Sequence, residues 1–180
     1  VKNVYLVRHC QAEGQAPDAP LTDEGNRQAL RLASFLADRE IDCLISSPYE
    51  RAYRTVQPLA ERLGIEVVLD ARLTERVLSA ENHPAWRDRL RETFADLDLR
   101  YEGGESSREA TGRAVGVVDE VLRGAYRDAV IVSHGNLISL LLKHFDDRIG
   151  FEEWAALSNP DVYRLVFADD TPSIRRIWTE

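Results

Sequence analysis

The chain contains no methionine, only two cysteines, and no apolar stretch of the 18 or so residues that a membrane helix requires. Cys10 and Cys43 form no CxxC pair, and zinc-ligand spacing is absent. Neither a disulfide framework nor a structural metal is therefore expected to hold the fold. No basic segment followed by a long apolar core opens the sequence, which removes a secretory signal and predicts a cytoplasmic protein. The start at Val1 implies an initiator residue that was removed or lies outside the numbering. No run of Lys or Arg dominates any segment, and the net charge is −8. A nucleic-acid binder needs a basic face, so neither nucleic acid nor a membrane is expected as a partner. Any anion site must be a local pocket of positive charge. Long repeats, low-complexity tracts and linkers are missing as well.

What remains reads as one domain, residues 1–180, with an ordinary balance of 44% hydrophobic and 30% charged residues. Val4-Tyr5-Leu6-Val7 is a run of β-formers, a buried strand that stops at Arg8-His9-Cys10. Thr22 caps a helix whose first turn carries Asp23 and Glu24. A second strand covers 41–46, and Ser47-Pro48-Tyr49-Glu50 reads as a capping box opening another helix, which Pro58 should kink or shorten. A third strand covers 65–69. From about 70 to 104 the βα rhythm lapses into a polar insertion holding one short helix, marked by Trp86, Leu90 and Phe94. Ser106 and Glu109 form a further capping box. A strand over 129–134 and an apolar helix over 137–145 follow. Two closing strands, 162–167 and 174–178, read as an antiparallel hairpin. The expected fold is a three-layer α/β/α sandwich on a mostly parallel sheet of roughly six strands, with the insertion covering the site.

Two strands end alike, at Arg8-His9-Cys10 and at Ser133-His134-Gly135. In a parallel sheet those ends share one edge, where α/β proteins bind ligands, so the two histidines can converge. The strand before Ser47-Pro48 leads to the same edge, with Arg51 in the first turn behind it. Separately, Arg51 reads as a solvated helix arginine and His134 as a satisfied core histidine. Together, two arginines and two imidazoles around one point call for a bound dianion such as phosphate.

The ordered motifs Arg8-His9-Cys10, Leu21-Thr22-Asp23-Glu24-Gly25, Ser47-Pro48-Tyr49-Glu50-Arg51-Ala52, Leu73-Thr74-Glu75-Arg76, Gly103-Gly104-Glu105-Ser106 and His134-Gly135 resemble the histidine phosphatase superfamily. That group also contains the cofactor-dependent phosphoglycerate mutases. The resemblance implies a metal-independent phosphomonoesterase without cofactor, acting on a small phosphorylated substrate. It implies His9 as the nucleophile that becomes phosphorylated, with Arg8, Arg51 and His134 holding the phosphoryl oxygens. Such a nucleophile attacks as neutral imidazole, so its other nitrogen should be held by an acceptor such as a backbone carbonyl. Glu75 is the candidate proton donor, with Glu81 in reserve; the alternative for Glu75 is a pairing with Arg76 or a loop cap. Gln15 stands where the family often has a phosphate-contacting asparagine, and Gly135 and Arg76 complete the substrate-binding set.

Cys10 departs from the family's glycine beside the nucleophile. A thiol phosphatase would need Cys-x5-Arg, but Ala16 and Tyr49 hold the arginine positions after Cys10 and Cys43. Mutase-type transfer and a catalytically inactive phosphate-binding protein are the rival functions. Family mutases are longer, so 180 residues favour hydrolysis. Arg76, His83, Arg87, Arg89 and Arg91 could recognise a second anionic group, although Arg alternating with Asp88 and Glu92 is typical of a solvated helix. The particular phosphomonoester and the oligomeric state, a dimer among the options, are left open.

Overall fold

The structure is a computed structural model that describes residues 1–179. Its strands are β1 (Lys2–Arg8), β2 (Cys43–Ser46), β3 (Val67–Leu69), β4 (Asp128–Ser133), β5 (Asp161–Phe167) and β6 (Ser173–Arg176). Its helices are α1 (Asp23–Leu36), α2 (Glu50–Leu63), α3 (Trp86–Ala95), α4 (Ser107–Arg123), α5 (Gly135–Phe145) and α6 (Phe151–Ala155). The six strands form one sheet in the order β3-β2-β4-β1-β5-β6.

Side chains alternate across this sheet, as a period of two requires. Tyr5, Val7, Leu44, Val130 and Val132 pack on α1 and α2 on one face. Val4, Leu6, Ala129 and Ile131 pack with residues of α3, α4 and α5 on the other. The central strands are buried on both faces, which explains why they read as unbroken apolar runs.

The sheet is mixed, which corrects the expectation of a mostly parallel one. Strands β3, β2, β4 and β1 run parallel, but β5 is antiparallel to both β1 and β6. The connection explains the reversal. Helix α5 starts at the carboxyl edge of the strands, and the chain then adds α6 before β5 begins at that same edge, where Asp161 pairs with Arg8. Starting from there, β5 can only run back along β1.

Two helix starts follow the local chemistry expected of them. Thr22 Oγ1 accepts from Gly25 N at 2.9 Å, and Ser106 with Glu109 makes a full capping box. The expected box at Ser47 and Glu50 does not form: Tyr49 is the N-cap of α2 and makes no side-chain capping bond. Nor does Pro58 end α2, which runs through it to Gly64 in a left-handed conformation. Burial of Val56, Leu59 and Ala60 against the sheet and α1 offsets the hydrogen bond that the proline removes.

Candidate active site

The site lies where β1 and β4 end together. Arg8 stands beside Ser133 in the parallel register, and His9 N donates to Ser133 O at 3.2 Å. One residue further along, the rings of His9 and His134 meet edge to face with centroids 5.2 Å apart. Two parallel strands of matched register thus bring together histidines 125 positions apart in the chain.

The backbone around His9 is clamped from both sides. Cys10 N donates to Thr55 Oγ1 on α2, and Asn159 Nδ2 donates to His9 O at 3.0 Å. The imidazole itself is held by Nδ1, 2.7 Å from the Cys10 carbonyl. A carbonyl only accepts, so Nδ1 carries the proton and Nε2 keeps its lone pair. Arg51 Nε donates to that Nε2 at 3.3 Å. Burial pushes the His9 pKa down to about 4; the Cys10 carbonyl opposes this, while Arg51 and Arg8 add to it. His134 falls to about 2 through burial and the positive groups around it. Both imidazoles are neutral near pH 7. His134 Nε2 sits 2.8 Å from Ser47 Oγ, which is the use the fold finds for the serine expected as a helix cap.

Arg51 is 2% exposed and directs Nη1 to the carbonyls of Gln15 and Ala16. Arg8 sends Nη1 to Leu157 O, while its Nε is buried without a hydrogen-bond partner among the described residues. Burial lowers the pKa of both guanidinium groups, the direction expected of cations drawn out of water. Gly135 explains how Arg8 comes so close to α5: a Cβ there would lie 3.0 Å from Arg8 Nε. Glu75 is fixed by backbone donors. Its Oε1 accepts from Arg76 N and Leu137 N, and its Oε2 from Asn136 N at the start of α5.

A cavity of about 140 Å³ is lined by Arg8, His9, Arg51, Glu75, His134 and Gly135, with Gln15 at its exposed rim. The candidate catalytic set therefore converges on one point. Arg76 does not line it. Its guanidinium is buried and donates to Glu105 O, Thr93 Oγ1, Ser107 Oγ and Asn136 Oδ1, which makes it a tie between segments. Glu81 is exposed and lines a different cavity with His83 and Arg89. Three residues of the lining escaped sequence reasoning: Gln11, Ala12 and Asn159. The Asn159-Pro160 dipeptide was the available turn signal for the last. Cys10 lies fully buried with Leu21 and Ala29 beneath the site. Among the described residues, no three His, Cys, Asp or Glu side chains are grouped so as to hold a metal ion, and no helix is long and apolar enough to cross a membrane.

A pocket of two arginines and two neutral imidazoles at the strand ends is suited to holding a phosphoryl group. The sequence profile of the Histidine phosphatase superfamily (branch 1) matches residues 4–179, and the chain belongs to that family. "Probable phosphoglycerate mutase GpmB" of Shigella boydii serotype 18 is 30% identical, with 85% of this chain and 77% of that protein aligned. Mycobacterial glucosyl-3-phosphoglycerate phosphatase, solved with inorganic phosphate, superposes with a TM-score of 0.79 at 26% identity over 99% of this chain and 96% of that one. The same protein with VO3 gives a TM-score of 0.79 over 98% of each chain, again at 26% identity. Phosphoserine phosphatase from Entamoeba histolytica, in complex with 3-phosphoglyceric acid, shares the fold with a TM-score of 0.81 at 21% identity, covering 100% of this chain and 98% of that one.

Proposed function

We propose that this chain is a metal-independent phosphomonoesterase that works through a phosphohistidine on His9. The observation that carries the reading is the His9 tautomer: Nδ1–H bound to the Cys10 carbonyl leaves Nε2 as a neutral nucleophile between Arg8, Arg51 and His134. In the first step Nε2 attacks phosphorus, the P–O ester bond breaks, and Glu75 gives its proton to the departing oxygen. Glu75 Oε2 accepts only one backbone N–H, which leaves it a lone pair for that proton. In the second step water attacks phosphorus, the P–N bond breaks, and Glu75 takes the proton back. Arg8 and Arg51 neutralise the equatorial oxygens, and their planar forks suit a tetrahedral oxyanion.

Gln15 and Gly135 belong to the same proposal, the first as a rim contact and the second by admitting Arg8. The chain acts as one unit over 1–180, with segment 70–104 forming the mouth; Glu180 lies outside the described residues. The buried cysteines, neither in a disulfide, suit a reducing compartment, and the cytoplasm is the location this reading carries. The mutase-named relative supports a second reading, in which the phosphoryl group returns to the substrate instead of passing to water. Rapid mixing with substrate followed by alkaline quench tests the first reading. The label should appear on His9, vanish in His9→Ala and persist in Cys10→Ser; label on Cys10 overturns it. Product analysis with 3-phosphoglycerate separates the two readings, since hydrolysis releases phosphate and a mutase forms 2-phosphoglycerate.

A further inference from the structure

A second cavity, of about 520 Å³, adjoins the first and shares Arg8, Gln15 and Glu75 with it. A leaving group whose phosphate sits against His9 has to occupy this space. Its remaining walls are Leu78, Trp86, Leu90 and Trp154, together with the carboxamides of Asn82 and Asn136. Trp86 on α3 and Trp154 on α6 meet edge to face, with ring centroids 6.1 Å apart. Trp86 is 47% exposed, and a half-open indole beside a reactive centre is a ready contact for a ring.

Arg8 stands at the end shared with the first cavity, and the other cations nearby are held by protein groups. Arg76 borders the cavity, but its guanidinium N–H groups serve Glu105, Thr93, Ser107 and Asn136. Arg87 lies over the rings of Phe151 and Trp154, and Arg91 over Phe151, and neither lines the cavity. Arg89 stacks on Tyr101. Beyond the end that carries Arg8 and Glu75, the cavity's walls are mainly the two indoles and two leucines. Two lining donors are buried without a partner among the described residues: Arg8 Nε, at the end shared with the first cavity, and the neutral amide Asn136 Nδ2, which suits an ether, hydroxyl or carbonyl oxygen.

Resting on the phosphatase reading, we infer that the cavity between α3 and α6 receives an aromatic leaving group, so the substrates are monoesters of aryl-bearing alcohols.

The test separates the ring from the chemistry. Benzyl phosphate and ethyl phosphate both release an alkoxide, so a difference in kcat/KM reports binding of the ring. Benzylphosphonate and methylphosphonate, which do not turn over, report the same preference by calorimetry. The ring should gain about tenfold or more in each comparison. Trp86→Ala should erase most of that gain in kcat/KM and in phosphonate affinity alike, and Trp154→Phe should retain it in part. Trp86→Arg should raise activity on 3-phosphoglycerate. Equal affinity for the two phosphonates, or a wild-type preference for 3-phosphoglycerate over benzyl phosphate, overturns the inference. Phosphonate preference without turnover of any monoester would instead overturn the phosphatase reading and leave the cavity assignment standing.

Discussion

Arg51 Nε stands 3.3 Å from His9 Nε2 while Nη1 of the same guanidinium is held by the carbonyls of Gln15 and Ala16. One planar group is thus anchored at one end and presented to the nucleophile at the other. A lysine has a single charged centre and cannot span both. Arg51→Lys should lower kcat/KM by roughly 10²-fold or more, the scale of losing one preorganised oxyanion donor. Steady-state kinetics with vanadate inhibition alongside would check it, since the inhibitor should weaken in parallel.

The depressed histidine pKa values set a pH dependence. Unfolded, each imidazole titrates near its ordinary value of about 6.5. Folded, His9 titrates near 4 and His134 near 2. Between these values the unfolded chain binds more protons, so stability is full above about 6.5 and is lost as pH falls. Denaturant midpoints should therefore drop from pH 7 to pH 5 in the wild type and drop less in His134→Asn. The acid limb of kcat/KM should also lie well below 6.5, because His9 stays a neutral nucleophile down to about 4.

Glu75→Gln should cost about 10²–10⁴ in turnover of ethyl phosphate, the usual worth of a positioned proton donor. The loss on p-nitrophenyl phosphate should be much smaller, because that leaving group needs little protonation. The variant also places an amide NH₂ among backbone donors, so a stability loss of about 1 kcal/mol is expected from the unmet N–H. Equal losses on both esters would reassign Glu75 to fixing the start of α5.

Cys10→Gly should keep most activity, because the thiol points into the small apolar cluster with Leu21 and Ala29 rather than into the cavity. Peroxide should inactivate wild type and variant at the same rate, with or without phosphate. The void left behind should cost on the order of 1 kcal/mol, readable in the denaturant midpoint. Faster inactivation of the wild type would place the sulfur in the reactive pocket after all.

Much of this was legible in the chain, for local reasons. Val4 to Val7 and Ala129 to Val132 announce buried strands, and matched strand ends are enough to bring His9 to His134. The carbonyl partner for Nδ1 followed from what a neutral nucleophile requires. The antiparallel return of β5 was not legible, because strand direction depends on which edge the chain reaches after α6. Ser47 carries the signature of a cap, yet its hydroxyl faces His134, a partner 87 positions away in the chain. Arg76 looked like a substrate ligand because it closes the motif Leu73-Thr74-Glu75-Arg76. Its hydrogen-bond partners, Thr93 on α3, Glu105 and Ser107 at the start of α4, and Asn136 on α5, come from three places that only the fold assembles.

That arrangement of Arg76 divides the labour between two parts of the molecule. The groups that cut the ester stand on the sheet edge and the helices behind it. Trp86 and Leu90, proposed to meet the leaving group, stand on α3, whose Thr93 is tied to Ser107 and Asn136 through the Arg76 guanidinium and to Ser107 directly. Changes on the open side of α3 can therefore alter which esters are admitted without disturbing how they are broken.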